Sequence, residues 1–204
     1  MNASGHLAYA NSTAFEIAGI DDGVENPPGG EYGRDADGRI NGVMRNNVAF
    51  TPVANNNPSM ATVDPINGLI ALLQKWSQFG LTTVSELSLG GLTQSPADTE
   101  VMLAAASTGQ LNARVRAYAF YTIGTDAWDA AGVVPGSGSE IARVSGYKLV
   151  ADGSNQGFTG LQRDPYLNSD DRGLAYMSRD ELTATAIDRA SKGWQLALQG
   201  NGDA

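Results

Sequence analysis

The chain has 204 residues, enough to bury a real core, and its 17% charged content with 25 glycines describes a globular protein rich in tight turns. A net charge of −9 repels phosphate backbones, and the nearest thing to a basic patch, Arg114 and Arg116, alternates along a strand-like run, so nucleic acid is excluded as a partner. The absence of cysteine removes disulfides, thiolate metal sites and cysteine nucleophiles together.

In chain order, Ala8, Phe15, Ile17, Ala18 and Ile20 predict a short opening helix stopped near Gly19. Residues 21–42 are rich in turn formers, including Pro27-Pro28-Gly29-Gly30 and Asp37-Gly38. They predict an irregular excursion with one hairpin, and Asn55-Asn56-Asn57-Pro58 ends that region. Asp64-Pro65 then reads as an N-cap followed by proline at the first helical position. Ile66, Leu69, Ile70, Leu73, Trp76 and Phe79 follow at helical spacing up to Gly80. Leu81 to Leu89 reads as a strand, and Ser95-Pro96 opens a helix through Ala106. Ala113 to Tyr121 reads as a second strand. Beyond a glycine-rich loop, Val144 to Ala151 forms a third, ending at Asp152-Gly153-Ser154. Ser178-Arg179-Asp180-Glu181 is a capping box for a helix to about Lys192. Trp194 to Leu198 is the last strand.

Alternating helices and strands with short connections predict a parallel sheet covered by helices. About four strands are visible, where a closed barrel of this kind needs eight, so the expectation is a partial (β/α)8 barrel rather than a doubly wound open sheet. Residues 1–64 form an irregular N-terminal segment of the catalytic domain in this reading, and 65–204 the partial barrel. No apolar run reaches membrane-spanning length. The stretch from Met1 to His6 lacks the basic and apolar regions of a signal peptide, so a cytoplasmic protein is expected.

Ligands of parallel α/β folds bind at the carboxyl ends of strands. Glu86, Lys148, Asp152, Gln199 and Asp203 stand there. A lysine inside an apolar strand must pair, shift its pKa or be modified. Lys148 could equally pair with Asp152 or reach towards solvent. Glu86 is a candidate acid or ligand, with a salt bridge or a capping role as the plainer reading. Asp152-Gly153-Ser154 alone is only a turn. His6 is the single histidine, so any metal site must draw on other groups or be incomplete.

Taken together, five segments resemble the amidohydrolase branch called amidohydrolase family 3, which includes N-substituted formamide deformylase-like enzymes. They are Ser4-Gly5-His6-Leu7-Ala8-Tyr9-Ala10-Asn11-Ser12, Asp37-Gly38-Arg39-Ile40-Asn41-Gly42-Val43, Gly80-Leu81-Thr82-Thr83-Val84, Tyr147-Lys148-Leu149-Val150-Ala151-Asp152-Gly153-Ser154 and Gly200-Asn201-Gly202-Asp203-Ala204. The resemblance implies a metal-dependent hydrolase of non-peptide carbon–nitrogen bonds, with one or two divalent cations, zinc first, at the barrel mouth. Lys148 would be the lysine carboxylated to bridge metals, with Gln199 as a second metal position. His6 would lie near the pocket of a small-molecule substrate, and Asp152 and Asp203 would shape the strand-end loops. Glu86 and Asp203 are the candidate catalytic carboxylates, and His6 and Asp152 the candidate substrate contacts.

Two departures accompany the resemblance. The family's opening His-X-His pair is missing, and Gln199 stands where relatives usually carry histidine. The expectation is therefore a fragment lacking several ligands, with a non-catalytic binding relative as the alternative. A Glu86–Asp152 acid–base pair and a half barrel that completes itself as a homo-oligomer are further readings.

Overall fold

A computed structural model describes all 204 residues, the side chains of Met60 and Ala61 excepted. The chain forms two compact units. One comprises Met1–Ala61, Val150–Leu182 and Leu198–Ala204, the other Thr62–Leu149 and Thr183–Ala197.

The first unit is built on an antiparallel sheet of β1 (Leu7–Tyr9), β2 (Glu31–Arg34) and β3 (Ile40–Arg45), in the order β1-β3-β2. Two helices join it, α1 (Ser12–Ile17) and α2 (Asn47–Asn55). The predicted opening helix is thus divided. Leu7 and Ala8 are buried in β1, and the Asn11 side chain accepts the amide of Ala14, which starts α1 only after the strand has ended. The predicted hairpin joins β2 to β3. The Asp35 carboxylate accepts the amides of Asp37 and Arg39, and Gly38 takes a φ of +81° that other residues avoid.

Helix α2 had no counterpart in the sequence reading, which placed residues 43–64 in the irregular segment. Its interior Pro52 lacks an amide hydrogen and would ordinarily break a helix. Packing outweighs that cost. Ala49, Phe50 and Val53 join Ala8, Phe15, Tyr32 and Met44 in one buried cluster.

The second unit holds a βα succession. Its elements are α3 (Pro65–Ser77), β4 (Thr83–Leu89), α4 (Asp98–Ser107), β5 (Arg114–Phe120), α5 (Thr125–Ala130), β6 (Ala142–Val150), α6 (Arg179–Ser191) and β7 (Gln195–Gln199). The ends of β6, α6 and β7 that border the long loops count with the first unit. The sheet order is β4-β5-β6-β7, and β5 pairs in parallel with both β4 and β6.

Local chemistry explains the helix starts. The Asp64 carboxylate accepts both the backbone and side-chain N–H of Asn67, with Pro65 in the first turn. At α6, Ser178 Oγ accepts the Glu181 amide while the Glu181 carboxylate accepts the Ser178 amide, the reciprocal bond set that the sequence predicts. Helix α5 falls in the stretch read as a glycine-rich loop. It exists to bury Trp128, whose indole N–H donates to the Phe120 carbonyl at 3.0 Å.

Val115, Ala117 and Ala119 of β5 alternate as buried positions and form one face with Val144, Tyr147 and Leu149 of β6. Leu73 of α3 is fully buried in this unit, a burial that contributes about 2 kcal/mol. On β4, by contrast, only Leu89 is buried, and β4 and β7 are outer strands. The sheet is an open arc, part of a barrel that these strands do not close. No helix among the described residues is long and apolar enough to cross a membrane.

Candidate functional site at the strand ends

Asp152 is the organising residue of the loops that follow β6 and β7. It is 4% exposed, and its two oxygens accept three backbone amides. Oδ1 takes the N–H of Asn201 at 2.7 Å, and Oδ2 takes those of Leu161 at 2.8 Å and Gly202 at 2.6 Å. A carboxylate is suited to this task because it only accepts, and each oxygen offers two lone pairs. Ser154 continues the lock, its amide donating to Thr159 Oγ1 at 2.9 Å. The turn predicted at Asp152-Gly153-Ser154 therefore also ties two loops together, a role for which the tripeptide gave no signal.

His6 precedes β1 and lies against the end of β7. Its Nδ1 is 3.0 Å from the Tyr176 hydroxyl, and its Nε2 is 3.1 Å from the Gln199 amide nitrogen. The backbone carbonyl of Gln199 accepts the Ala151 amide, and Tyr176 donates its own amide to the Ala151 carbonyl. One backbone residue thus positions both side chains that hold the imidazole. Sequence reasoning missed Tyr176, which lies in a long polar loop with no periodic signal.

Asp203 lies next in this loop cluster, clamped by Arg163. Its Oδ1 accepts the Arg163 amide at 2.9 Å, and Oδ2 meets Nε at 3.1 Å and Nη2 at 3.0 Å. The backbone bond first, then the guanidinium, hold its carboxyl below the usual carboxylate range. A carboxylate so held is an anion and an anchor, and a poor proton donor.

Lys148 and Glu86 belong to the second unit. Lys148 is 6% exposed and has no carboxylate partner in that unit among the described residues. Burial lowers its pKa by penalising the ammonium form. Register separates it from Glu86. Glu86 pairs with Ala117 and Lys148 with Phe120, three positions apart on one strand, so the two side chains leave the sheet on opposite faces. Glu86 is exposed, and its carboxylate accepts the Ser88 amide at 2.6 Å.

The strand ends therefore bring His6, Gln199, Asp152 and Asp203 into one loop cluster of the first unit. Lys148 and Glu86 do not meet. Among the described residues, no group of three or more His, Asp or Glu side chains could hold a metal ion. In the first unit both imidazole nitrogens face hydrogen-bond partners, Asp152 accepts three backbone amides and Asp203 pairs with Arg163. A cavity of about 630 Å³ in the first unit, lined by Tyr9, Ile17, Met44 and Phe50 among others, contains none of the six candidates. Asp203 instead lines a polar hollow of about 390 Å³ with Asn155, Gln162 and Tyr166.

An open arc of parallel strands joined by helices is part of a (β/α) barrel. The chain belongs to the amidohydrolase family, whose model matches residues 1–204. Two solved structures resemble it in fold. One is the crystal structure of an uncharacterized metal-dependent hydrolase from Pyrococcus horikoshii OT3, with a TM-score of 0.68 at 20% identity, covering 97% of this chain and 38% of that one. The other is an uncharacterized metal-dependent hydrolase from Pyrococcus furiosus, with a TM-score of 0.65 at 18% identity, covering 97% and 39%. The chain spans about two fifths of the length of these structures. No curated protein matches the chain.

Proposed function

We propose that this protein hydrolyses a carbon–nitrogen bond other than a peptide bond in a small-molecule substrate. Membership of the amidohydrolase family over residues 1–204 carries the reading, and the polar cluster after β6 and β7 supports it. A divalent cation, zinc first, would be the cofactor of the complete centre, where it would acidify the attacking water. The described residues of this chain do not assemble a site for it. Further ligands would come from outside these 204 residues.

Lys148 would serve as the carboxylated lysine, since a buried amine with a lowered pKa spends more time with a free lone pair. That lone pair adds to the carbon of CO2, the nitrogen loses a proton, and a buried cation becomes an anionic oxygen donor. Asp152 would hold the loops, and Asp203 with Arg163 would shape the polar hollow beside them. His6 would stand at the substrate side. Glu86, on the face opposite Lys148, would take part only through a second partner.

A second reading, a relative that binds a small molecule without hydrolysing it, is favoured by one observation. Gln199 occupies the strand end and bonds to His6.

Amine release from N-substituted formamides, simple amides and ureas, measured with and without added zinc, tests both. Hydrolysis supports the first reading. Substrate-induced shifts of the His6 resonances without turnover support the second. A cytoplasmic location and self-association belong to the same proposal, and solution mass checks the latter.

A further inference from the structure

We infer that Gln199 and Tyr176 lock His6 as the imidazole tautomer carrying its proton on Nδ1, which makes them positioning residues and takes His6 out of the pool of metal ligands. The inference rests on the strand-end cluster being the site of the proposed function, and it changes what His6 does there.

The donor and acceptor chemistry of the two partners fixes the ring. A carboxamide nitrogen only donates, so at 3.1 Å the Gln199 Nε2 requires a bare lone pair on His6 Nε2. The neutral ring then bears its hydrogen on Nδ1, where the Tyr176 oxygen lies 3.0 Å away and accepts it. The two ring nitrogens are thereby given opposite roles by two side chains fixed to one backbone residue, Ala151. A metal ion on Nε2 would have to displace the Gln199 amide. Histidine at a metal site ordinarily uses one nitrogen for the cation and the other for an orienting partner, whereas here both nitrogens face protein groups. With its NH2 turned to the ring, Gln199 also presents its Oε1 away from His6, as a fixed acceptor suited to an N–H group of a ligand.

The chain's single histidine makes the test free of overlap. Long-range 15N–1H correlation spectra of the labelled protein, recorded well above the ordinary imidazole range, report which nitrogen is protonated. The wild-type ring is expected to show a protonated Nδ1 and a bare Nε2, with neither resonance moved by equimolar zinc. Q199E substitutes an acceptor of the same shape at Nε2 and is expected to reverse the tautomer. Y176F removes the acceptor at Nδ1 while Gln199 still donates to Nε2, and is expected to keep the proton mainly on Nδ1, in a smaller share of molecules than the wild type.

A protonated Nε2 in the wild type, an unchanged ring in folded Q199E, or a zinc-shifted Nε2 overturns the inference. If Q199E fails to fold, the wild-type spectrum and the zinc titration decide alone. Absence of amide hydrolysis with the tautomer as expected removes the proposed function and leaves this inference standing. Hydrolysis with the opposite tautomer does the reverse.

Discussion

Arg189 and Asp129 meet fork to fork in the second unit, with Nη1 to Oδ1 at 2.6 Å and Nη2 to Oδ2 at 2.9 Å. The guanidinium is fully buried while the carboxylate is 41% exposed. Asp188 and Lys192 extend the pair into a network, and the Arg189 guanidinium carbon lies 5.6 Å from the Tyr147 ring centroid. The arrangement fastens the end of α6 to α5.

Removing one partner leaves a buried charge without its neutralising fork. Asp129→Ala is expected to cost about 2 to 3 kcal/mol, less than the roughly 3 to 5 kcal/mol for breaking a fully buried pair, because the carboxylate is partly solvated and Asp188 still pairs with Arg189. Arg189→Met, which keeps volume and removes the charge, is expected to cost less. Urea denaturation of the two variants checks the order, and a costlier Arg189→Met would refute it.

The same pair gives a pH dependence with a definite sign. Hydrogen bonds from Arg189 first, then Lys192, hold the Asp129 carboxyl well below the usual carboxylate range. A group whose folded pKa is depressed contributes stability in full above its unfolded value of about 3.9, and loses it as pH falls through the folded value. Acid titration of wild type and Asp129→Asn should therefore show curves that converge below about pH 4, on the same principle. Curves that stay parallel would assign the network no part in acid stability.

Asp152→Asn tests the loop lock. An asparagine offers one oxygen where the aspartate offers two, so at least one of three backbone amides meets an N–H group instead of an acceptor. The expected loss is about 2 kcal/mol, with faster hydrogen exchange at Leu161, Asn201 and Gly202 than elsewhere. Uniform acceleration over the whole chain would point to a general loss of stability.

Lys148 can be read directly for its modification. Protein equilibrated with 13C-bicarbonate is expected to show a carbamate carbon resonance that is missing from Lys148→Met. Its absence from the wild type would remove the carboxylated lysine from the proposed function.

Much of the βα succession was legible because its signals are local. Asp64-Pro65 and Ser178 to Glu181 start helices by bonds within three residues, and Gly80 and Gly193 end them with positive φ. The first unit was harder to read because distant packing overrides local preference. Helix α2 tolerates Pro52 for the sake of Phe50 and Val53, and β1 is too short to show a period before Asn11 begins a helix. At the site, strand-end positions drew attention to Gln199 and Asp152. Their partners, Tyr176, Leu161 and Arg163, sit in irregular loops, where no periodicity announces which side chain meets which. Nor could spacing show that Glu86 and Lys148 leave the sheet on opposite faces, because an extra residue in β6 between Ala117 and Tyr118 of its partner shifts the register.

The bond between His6 and Gln199 joins residues 193 positions apart. A contact across so long a loop gains nothing until the intervening chain is already arranged, since the entropy of closing the loop is lost before the bond forms. The βα succession between them, made of sequence neighbours, needs no such wait. The bond that holds the imidazole therefore forms only after the elements between its two partners have taken shape.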